Sequence, residues 1–280
     1  MKKRIITGAV GIAFFIVVLF FCHTIILNIS IAAVSVVALW EVLYSTKYIT
    51  DNLLLAVSAV FAGVFPFLGL PYMQPYVLII FYGYFLLLFG VMILKREKTV
   101  PEQISLVFMM SVVLPLALST LIYLRDIASY TSFKLTREDG VFYIILAVMG
   151  ACVSDAGGYF VGSAIGRHKL APSISPKKSV EGLIGGIVFN LIFFIAAGCI
   201  YQYFYGAKVS FAVITVLAVV SSFLATLGDL AFSVVKRHCH IKDFGSIMPG
   251  HGGIMDRFDS LILVAPFTFV AAVYFPIVYR

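Results

Sequence analysis

Long apolar stretches recur along this chain and constrain its fold more than any other feature. Of its 280 residues, 62% are hydrophobic and only 12% are charged. Soluble domains carry about 25% charged residues, so this composition indicates an integral membrane protein. A helix needs roughly 20 apolar residues to cross the hydrocarbon core, and nine stretches approach that length. They cover residues 5–21, 24–43, 53–70, 76–94, 104–124, 141–162, 183–203, 211–232 and 260–279.

The stretches are predicted to be α-helices. Lipid offers backbone groups no water, so only helices and closed barrels span it, and these stretches are too long and too uniformly apolar for barrel strands. The predicted fold class is all-α, a polytopic integral membrane protein with about nine transmembrane helices. The first stretch follows Met1-Lys-Lys-Arg without a small-x-small cleavage site, so we expect it to be retained as a helix.

Lys and Arg residues are distributed unevenly between the predicted loops. Cytoplasmic loops are enriched in these residues, and an N-terminus inside the cell places fifteen of the 20 in cytoplasmic segments. The distribution predicts a multi-pass protein of the cell inner (plasma) membrane with both late polar loops in the cytoplasm. The net charge of +7 follows mostly from this bias, so it indicates the bilayer surface, and no nucleic acid, as a partner.

Polar residues are concentrated in the second half of the chain. Residues 1–140 are predicted to be N-terminal transmembrane scaffold helices, and residues 141–280 to be the catalytic part with two cytoplasmic polar loops. In the first half, Trp40 and Glu41 are interpreted as an interfacial anchor, and residues 125–140 as a solvated outer connector. The four cysteines, at positions 22, 152, 199 and 239, form no CxxC pattern and imply no disulfide framework.

Two groups of polar residues precede the predicted span at 183–203. Asp155 lies inside an apolar stretch, where an ionisable side chain is a functional candidate by default, whereas glycines 158, 162 and 166 are interpreted as helix-packing residues. Ser175 followed by Pro176 predicts a helix N-cap. Lys177 and Lys178 would then stand in the first helical turn, where the helix dipole disfavours cations unless an anion binds there. Positive-inside flanking explains these lysines equally well.

Residues 233–259 hold three carboxylates, four Lys or Arg residues and three histidines in an otherwise apolar region. If the preceding helix continues, Asp229, Ser233, Lys236 and Arg237 share one face, as would Asp256 and Asp259 at the next helix. The Gly/Pro-rich residues 249–253 predict that the chain doubles back, which could bring Asp256 towards Asp229.

Oxygen ligands of this kind select Mg²⁺ or Mn²⁺. A zinc site formed by His238, Cys239, His240 and His251 is disfavoured, because adjacent helical residues point in different directions. No covalent nucleophile is evident, and a phosphate substrate is already an ionised nucleophile. The pattern therefore favours transfer of a group onto a phosphate.

The run Ser233-x-x-Lys-Arg-x4-Lys-Asp-x-Gly-x4-Gly-His-Gly-Gly-x-Met-Asp-Arg-x-Asp259 resembles the signature of phosphatidate cytidylyltransferases, also called CDP-diacylglycerol synthases. The segment from Asp155 to Tyr159 and the segment 175–182 resemble another block of that family. The resemblance is specific for the C-terminal half and general for the N-terminal stretches. It implies synthesis of CDP-diacylglycerol and pyrophosphate from CTP and phosphatidate, Mg²⁺ with a monovalent cation such as K⁺ as a further candidate, and a homodimer.

The resemblance and the residue pattern together assign roles to the polar residues. A phosphatidate oxygen would attack the α-phosphorus of CTP, with Asp229 and Asp256 as the predicted metal ligands. The further catalytic candidates are Lys236, Arg237, Asp243, Asp259 and His251, the last as either a substrate contact or a loop-shaping residue. The substrate-binding candidates are Asp155, Ser175, Lys177, Lys178, Glu181, Ser233, Lys242 and Arg257.

Two other classes of function use similar residues. A transporter or flippase for an anionic lipid would also place carboxylates in the membrane, but it predicts two related halves, which this sequence lacks. A lipid kinase using another nucleotide would need the same metal-binding and phosphate-binding groups. Selectivity for cytosine therefore follows from the resemblance alone.

Overall fold

A computed structural model describes residues 2–47, 49, 51–97, 100–248 and 252–279, with side chains from residue 7 onward. Within these ranges, seven helices are long and apolar enough to cross a membrane, and two apolar helices, Thr7–Phe20 and Asn52–Phe67, are shorter. The all-α, polytopic prediction is confirmed. The count of nine spans is not, and Pro66 explains part of the difference because the helix starting at Asn52 tightens into a 3-10 turn at this proline.

The helices are α1 (Lys2–Phe20), α2 (Ile26–Ser45), α3 (Asn52–Val64), α4 (Val77–Leu94), α5 (Pro101–Arg125), α6 (Arg137–Ile165), α7 (Val180–Tyr205), α8 (Phe211–His238), α9 (Met255–Phe258) and α10 (Leu261–Tyr274). Two antiparallel strand pairs join β1 (Lys169–Ala171) with β2 (Ser175–Ser179), and β3 (Lys208–Val209) with β4 (Val278–Tyr279). The chain forms two compact units, Met1–Ser119 with His238–Arg257, and Thr120–Arg237 with Phe258–Arg280. The predicted domain division at residue 140 stays a prediction.

Paired polar groups hold the apolar helices of the first unit together. The Asn28 side-chain amide donates to the Pro66 carbonyl at 2.8 Å. The Tyr84 hydroxyl lies 2.6 Å from the Ser111 hydroxyl, and its ring stacks on Phe61 with a centroid separation of 4.0 Å. Pairing of this kind is required because an unsatisfied polar group inside lipid costs several kcal/mol.

Asp51 caps the start of α3. Its carboxylate accepts hydrogen bonds from the amides of Leu53 at 2.9 Å and Leu54 at 3.1 Å, and it forms an ion pair with Lys95 at the end of α4. Burial raises the pKa of Asp51, but the Lys95 ammonium group and the two amides outweigh it and hold this pKa below its usual value. The charged carboxylate therefore joins the start of α3 to the end of α4.

Close backbone packing between α6 and α7 dominates the second unit. A Cβ on Gly185 would lie 2.4 Å from the Val161 Cβ, and one on Gly162 would lie 3.4 Å from the Gly182 Cα. The packing role predicted for the glycines of α6 is confirmed at Gly158 too, whose Cβ would lie 3.5 Å from the Gly182 carbonyl oxygen. Small residues at such positions let two helices approach closely.

Buried side chains fix the middle and one end of this helix pair. The amide of Asn190 on α7 donates to the Gly150 carbonyl on α6 at 3.0 Å and to the Ser222 hydroxyl on α8 at 2.8 Å. Asp139 caps α6 together with Thr136 and accepts a 2.6 Å hydrogen bond from the Tyr201 hydroxyl. Asp139 is fully buried, so the interpretation of residues 125–140 as a solvated connector is wrong at this position.

Candidate active site

The polar face of α8 begins the candidate site. Because α8 runs unbroken from Phe211 to His238, Asp229 and Ser233 lie one turn apart, and the Ser233 hydroxyl donates to Asp229 Oδ1 at 3.2 Å. Lys236 follows one turn later and is 7% exposed, as is Ser233. The predicted continuation of this helix, which puts these residues on one face, is confirmed.

Two further carboxylates lie beside this face, in the same unit of the chain. Lys236 Nζ is 3.8 Å from Asp259 Oδ2. The Ser260 hydroxyl donates to Asp155 Oδ2 at 2.8 Å and lies 3.4 Å from Asp259 Oδ1. Ser260 therefore lies between the two carboxylates. Because a hydroxyl has one proton to donate, its strong hydrogen bond goes to Asp155, the nearer of the two.

The segment before α7 differs from its prediction. Residues 175–179 form strand β2, which pairs with β1 in the register Lys169↔Ser179 and Ala171↔Ser175. The helix N-cap is Ser179, whose hydroxyl accepts from the Gly182 amide at 3.1 Å. The prediction of an N-cap at Ser175 with lysines in the first helical turn is therefore wrong, because strand pairing holds residues 175–179 extended.

The β1–β2 hairpin nevertheless places Lys178 beside α8. Lys178 Nζ lies 2.7 Å from Asp229 Oδ2 and donates to the Thr226 carbonyl at 3.3 Å. At the end of α8, Arg237 Nε donates to the Ile174 carbonyl at 3.2 Å. We call the resulting group the acid–lysine cluster, and it comprises Asp155, Lys178, Asp229, Ser233, Lys236, Asp259 and Ser260.

Glu181, in the first turn of α7, organises the chain that enters the hairpin. Its carboxylate accepts hydrogen bonds from the amides of Arg167 at 3.1 Å and His168 at 3.2 Å. The His168 ring nitrogen Nδ1 lies 2.6 Å from the same carboxylate. This position gives Glu181 a clear structural task, and its substrate-binding role stays a prediction.

The glycine-rich segment after α8 belongs to the first unit of the chain. The Met248 amide donates to the Gly252 carbonyl at 3.0 Å in an antiparallel bridge, and Gly252 has a φ of +89°, which favours glycine. Asp256 Oδ2 accepts hydrogen bonds from the amides of Phe244 at 2.9 Å and Gly253 at 3.1 Å. The predicted chain reversal is confirmed, and Asp256 closes it. We call the described residues 244–248 and 252–256 the glycine loop.

The other predicted site residues are placed as follows. Lys177 is exposed on β2, Lys242 and Asp243 are exposed after the end of α8, and Arg257 is exposed on α9. His251 lies outside the described residues. The site roles of these residues stay predictions.

Two residues of the polar regions were missed by sequence reasoning. Glu41 is fully buried and accepts a hydrogen bond from the Met255 amide at 2.8 Å, so its interpretation as an interfacial anchor is wrong. Trp40 beside it is 42% exposed and stacks on Tyr44. The signal for Glu41 was a carboxylate in an apolar stretch, the rule that identified Asp155. Ser260 could have been found as the hydroxyl next to Asp259.

Comparison with known proteins decides the family. The model of the Cytidylyltransferase family matches residues 2–275. The chain belongs to this family. The phosphatidate cytidylyltransferase of Bacillus subtilis (strain 168) is 31% identical over 278 residues, covering 96% of each chain. Those of Staphylococcus haemolyticus (strain JCSC1435) and Staphylococcus aureus (strain COL) are 41% and 42% identical over 134 residues, which cover 48% of this chain. The chain spans half the length of these two staphylococcal relatives, at 50% each.

The acid–lysine cluster of this cytidylyltransferase family member has the donor chemistry of a magnesium site. Its oxygens come from carboxylates and hydroxyls, and Mg²⁺ usually takes one or two carboxylates and completes its shell with substrate phosphates and water. In the part of the chain that the structure describes, no group of three or more His, Cys, Asp or Glu side chains could hold a metal. A metal site at the acid–lysine cluster therefore stays a prediction. The assignment of Asp229 and Asp256 as its ligands stays a prediction.

Proposed function

We propose that the protein is a phosphatidate cytidylyltransferase, which transfers CMP from CTP to phosphatidate and releases pyrophosphate in phospholipid biosynthesis. The observation that carries the proposal is the family match over residues 2–275. The acid–lysine cluster supports it, because ammonium groups beside carboxylates, buried at Lys236 and half-buried at Lys178, suit a reaction between polyanionic substrates.

The proposed mechanism needs no covalent enzyme intermediate. The phosphatidate phosphate is ionised and attacks the α-phosphorus of CTP in line with the departing pyrophosphate, so catalysis consists of positioning and charge neutralisation. Lys178 and Lys236 would bind substrate phosphates, with Arg237 as a bidentate phosphate donor. Both lysines face carboxylates, Asp229 at 2.7 Å and Asp259 at 3.8 Å. These carboxylates orient the lysines until a phosphate binds.

The carboxylates of the cluster also suit the predicted cation. When bound, Mg²⁺ supplies neutralisation of the charge that develops on pyrophosphate. Asp229 is the cluster residue that we propose as its ligand, with Asp256 as the other predicted ligand and Asp243 and Asp259 as further candidates. K⁺ remains a candidate monovalent cation through the family resemblance.

We also propose where the reaction occurs. The excess of Lys and Arg in alternate loops favours a protein of the cell inner membrane whose acid–lysine cluster faces the cytoplasm, where CTP is available. The homodimer follows from the family resemblance alone.

A direct assay tests this function. Purified protein in detergent is supplied with phosphatidate and labelled CTP or ATP, with Mg²⁺ or with EDTA. We expect CDP-diacylglycerol to form only when CTP is the nucleotide and Mg²⁺ is present. No product under these conditions, or equal use of ATP, contradicts the proposal.

Variants connect the assay to the cluster. Asp229→Asn is expected to abolish turnover in protein that still extracts as a folded species, because it removes the charge that pairs with Lys178. Asp51→Asn is the matched control, a carboxylate outside the cluster whose replacement still caps a helix. Near-normal turnover of Asp229→Asn would remove Asp229 from the mechanism.

A further inference from the structure

Helix α2 carries a carboxylate that the proposed mechanism does not use. Glu41 lies within the candidate span Ile26–Ser45 and has no exposed surface. Its Oε2 accepts the Met255 amide at 2.8 Å, and its Oε1 has no hydrogen-bond partner among the described residues. Ionisable side chains inside a membrane segment are costly and mark functional positions by default, so its presence needs a reason.

The glycine loop is built around this carboxylate. A Cβ on Gly245 would lie 2.1 Å from Glu41 Oε1, 2.6 Å from its Cδ and 3.1 Å from its Cγ. A Cβ on Gly253 would lie 2.6 Å from Oε2. Real Cβ atoms essentially never approach within 3.0 Å, so a side chain at either position would force the Glu41 carboxylate or the loop to move.

A second contact ties the start of the loop to the same helix. The Ser45 hydroxyl, one turn beyond Glu41, donates to the Phe244 carbonyl. Phe244 and Met255 are both fully buried. Helix α2 therefore holds the glycine loop near both of its ends, through Ser45 at one and Glu41 at the other.

These contacts determine how Asp256 is held. Asp256 accepts the amides of Phe244 and Gly253. Ser45 binds the carbonyl of Phe244, and Glu41 packs against Gly253 and binds the amide of Met255. The two residues whose amides orient the Asp256 carboxylate, Phe244 and Gly253, are thus both contacted from α2.

We propose that Glu41 is a positioning residue for cytidylyl transfer, which fixes the glycine loop from α2 and thereby orients Asp256. This inference rests on the proposed function, in which Asp256 is a predicted metal ligand, and it adds a residue from the first half of the chain. Loss of a residue that orients a metal ligand typically lowers activity or metal affinity about 10- to 100-fold.

Two substitutions of Glu41 separate positioning from simple packing. Glu41→Gln keeps the size and an acceptor for Met255, whereas Glu41→Ala removes both. Ser35→Ala is the matched control, since Ser35 is also fully buried on α2. We expect kcat to fall about 10- to 100-fold in Glu41→Ala, less in Glu41→Gln, and not in the control. In the Glu41 variants, the Mg²⁺ concentration that gives half-maximal activity should rise, while the KM for phosphatidate stays unchanged.

Hydrogen exchange of the metal-free protein supplies a readout that does not depend on turnover. Peptides covering residues 242–256 should exchange faster in Glu41→Ala, by an intermediate amount in Glu41→Gln, and at the wild-type rate in Ser35→Ala. Wild-type exchange of the loop in both Glu41 variants would overturn the proposal. So would an increase spread over α2 and α3, or an unchanged kcat.

Gly245→Ala approaches the same contact from the loop, without altering α2. The three atoms nearest to an alanine Cβ at position 245 all belong to Glu41. Gly245→Ala should therefore speed hydrogen exchange of the loop in the wild-type background and change it little in the Glu41→Ala background. Additive effects in this double-mutant cycle would contradict the contact. If the wild type makes no CDP-diacylglycerol, the proposed function fails, and exchange and the cycle alone still decide whether Glu41 holds the loop.

Discussion

Gly228→Ala should damage catalysis far more than stability. Gly228 precedes Asp229 on α8 and packs against the chain at the entry to α10. An alanine Cβ there would lie 2.5 Å from the Asp259 carbonyl oxygen and 3.2 Å from the Ser260 Cα. Ordinary contact begins at 3.4 Å, so the Asp259 carbonyl has to move by about 0.9 Å. Because both atoms belong to the backbone, no side-chain rotation relieves the clash.

The displacement acts directly on the acid–lysine cluster. Asp259 and Ser260 would shift relative to Asp229 and Lys236, and a misplacement of about 1 Å can cost about 100-fold in rate. Overpacking typically costs about 1–3 kcal/mol, and the higher helix propensity of alanine returns about 1 kcal/mol. The expected net loss of stability is therefore about 0–2 kcal/mol, small beside the loss of turnover.

The assay compares CDP-diacylglycerol formation with thermal unfolding in the same detergent. Gly83→Ala on α4 is the control, because nothing lies within 4 Å of a Cβ at that position. Turnover of Gly228→Ala within a few-fold of the wild type, at an unchanged melting temperature, would refute the reasoning. A loss that merely follows the unfolded fraction would refute it as well.

Three further predictions follow from single contacts. Lys178→Met removes the ammonium group 2.7 Å from Asp229 and should raise the KM for CTP at an unchanged melting temperature; an unchanged KM counts against a phosphate-binding role. Asn190→Ala should destabilise the protein by about 0.5–2 kcal/mol while leaving turnover per folded molecule unchanged, and a normal melting temperature would show that its interhelical hydrogen bonds contribute little. The pKa of Asp51 is held below its usual 3.8, so its ion pair with Lys95 stabilises the fold above that value and is lost as pH falls through the lower folded pKa. On acidification below about pH 4, the melting temperature of Asp51→Asn should therefore fall less than that of the wild type. Identical dependence of the two melting temperatures on pH would contradict the effect.

Helical periodicity predicted the part of the site that lies on one element. The spacing of Asp229, Ser233 and Lys236 is enough to put them on one face of α8, because a regular helix repeats every 3.6 residues. Periodicity could not place Asp155 or Lys178 beside that face. Those contacts depend on how α6 and the hairpin pack, which local spacing does not encode.

The hairpin error has a specific physical origin. Ser175-Pro176 fits a helix start, but Ser179 fits one too, and its hydroxyl caps α7. Strand pairing with Lys169 and Ala171 decides between them. A hairpin between two long helices gives little signal in a window dominated by apolar residues. Tertiary pairing therefore overrode a sound local preference.

Glu41 was interpreted as an interfacial anchor because it lies close to the end of a predicted span, and this position concealed its role. Its partner amide, Met255, lies 214 residues away, so no local pattern could connect them. The loop sequence nevertheless carried a matching signal, namely its glycines. Gly245 and Gly253 are the positions at which any side chain would collide with this carboxylate. Glycines in the loop and an acid in an apolar helix were each explained separately, by chain reversal and by anchoring. Taken together they describe one requirement, a loop that closes over a buried carboxylate, and this requirement gives both features a single cause.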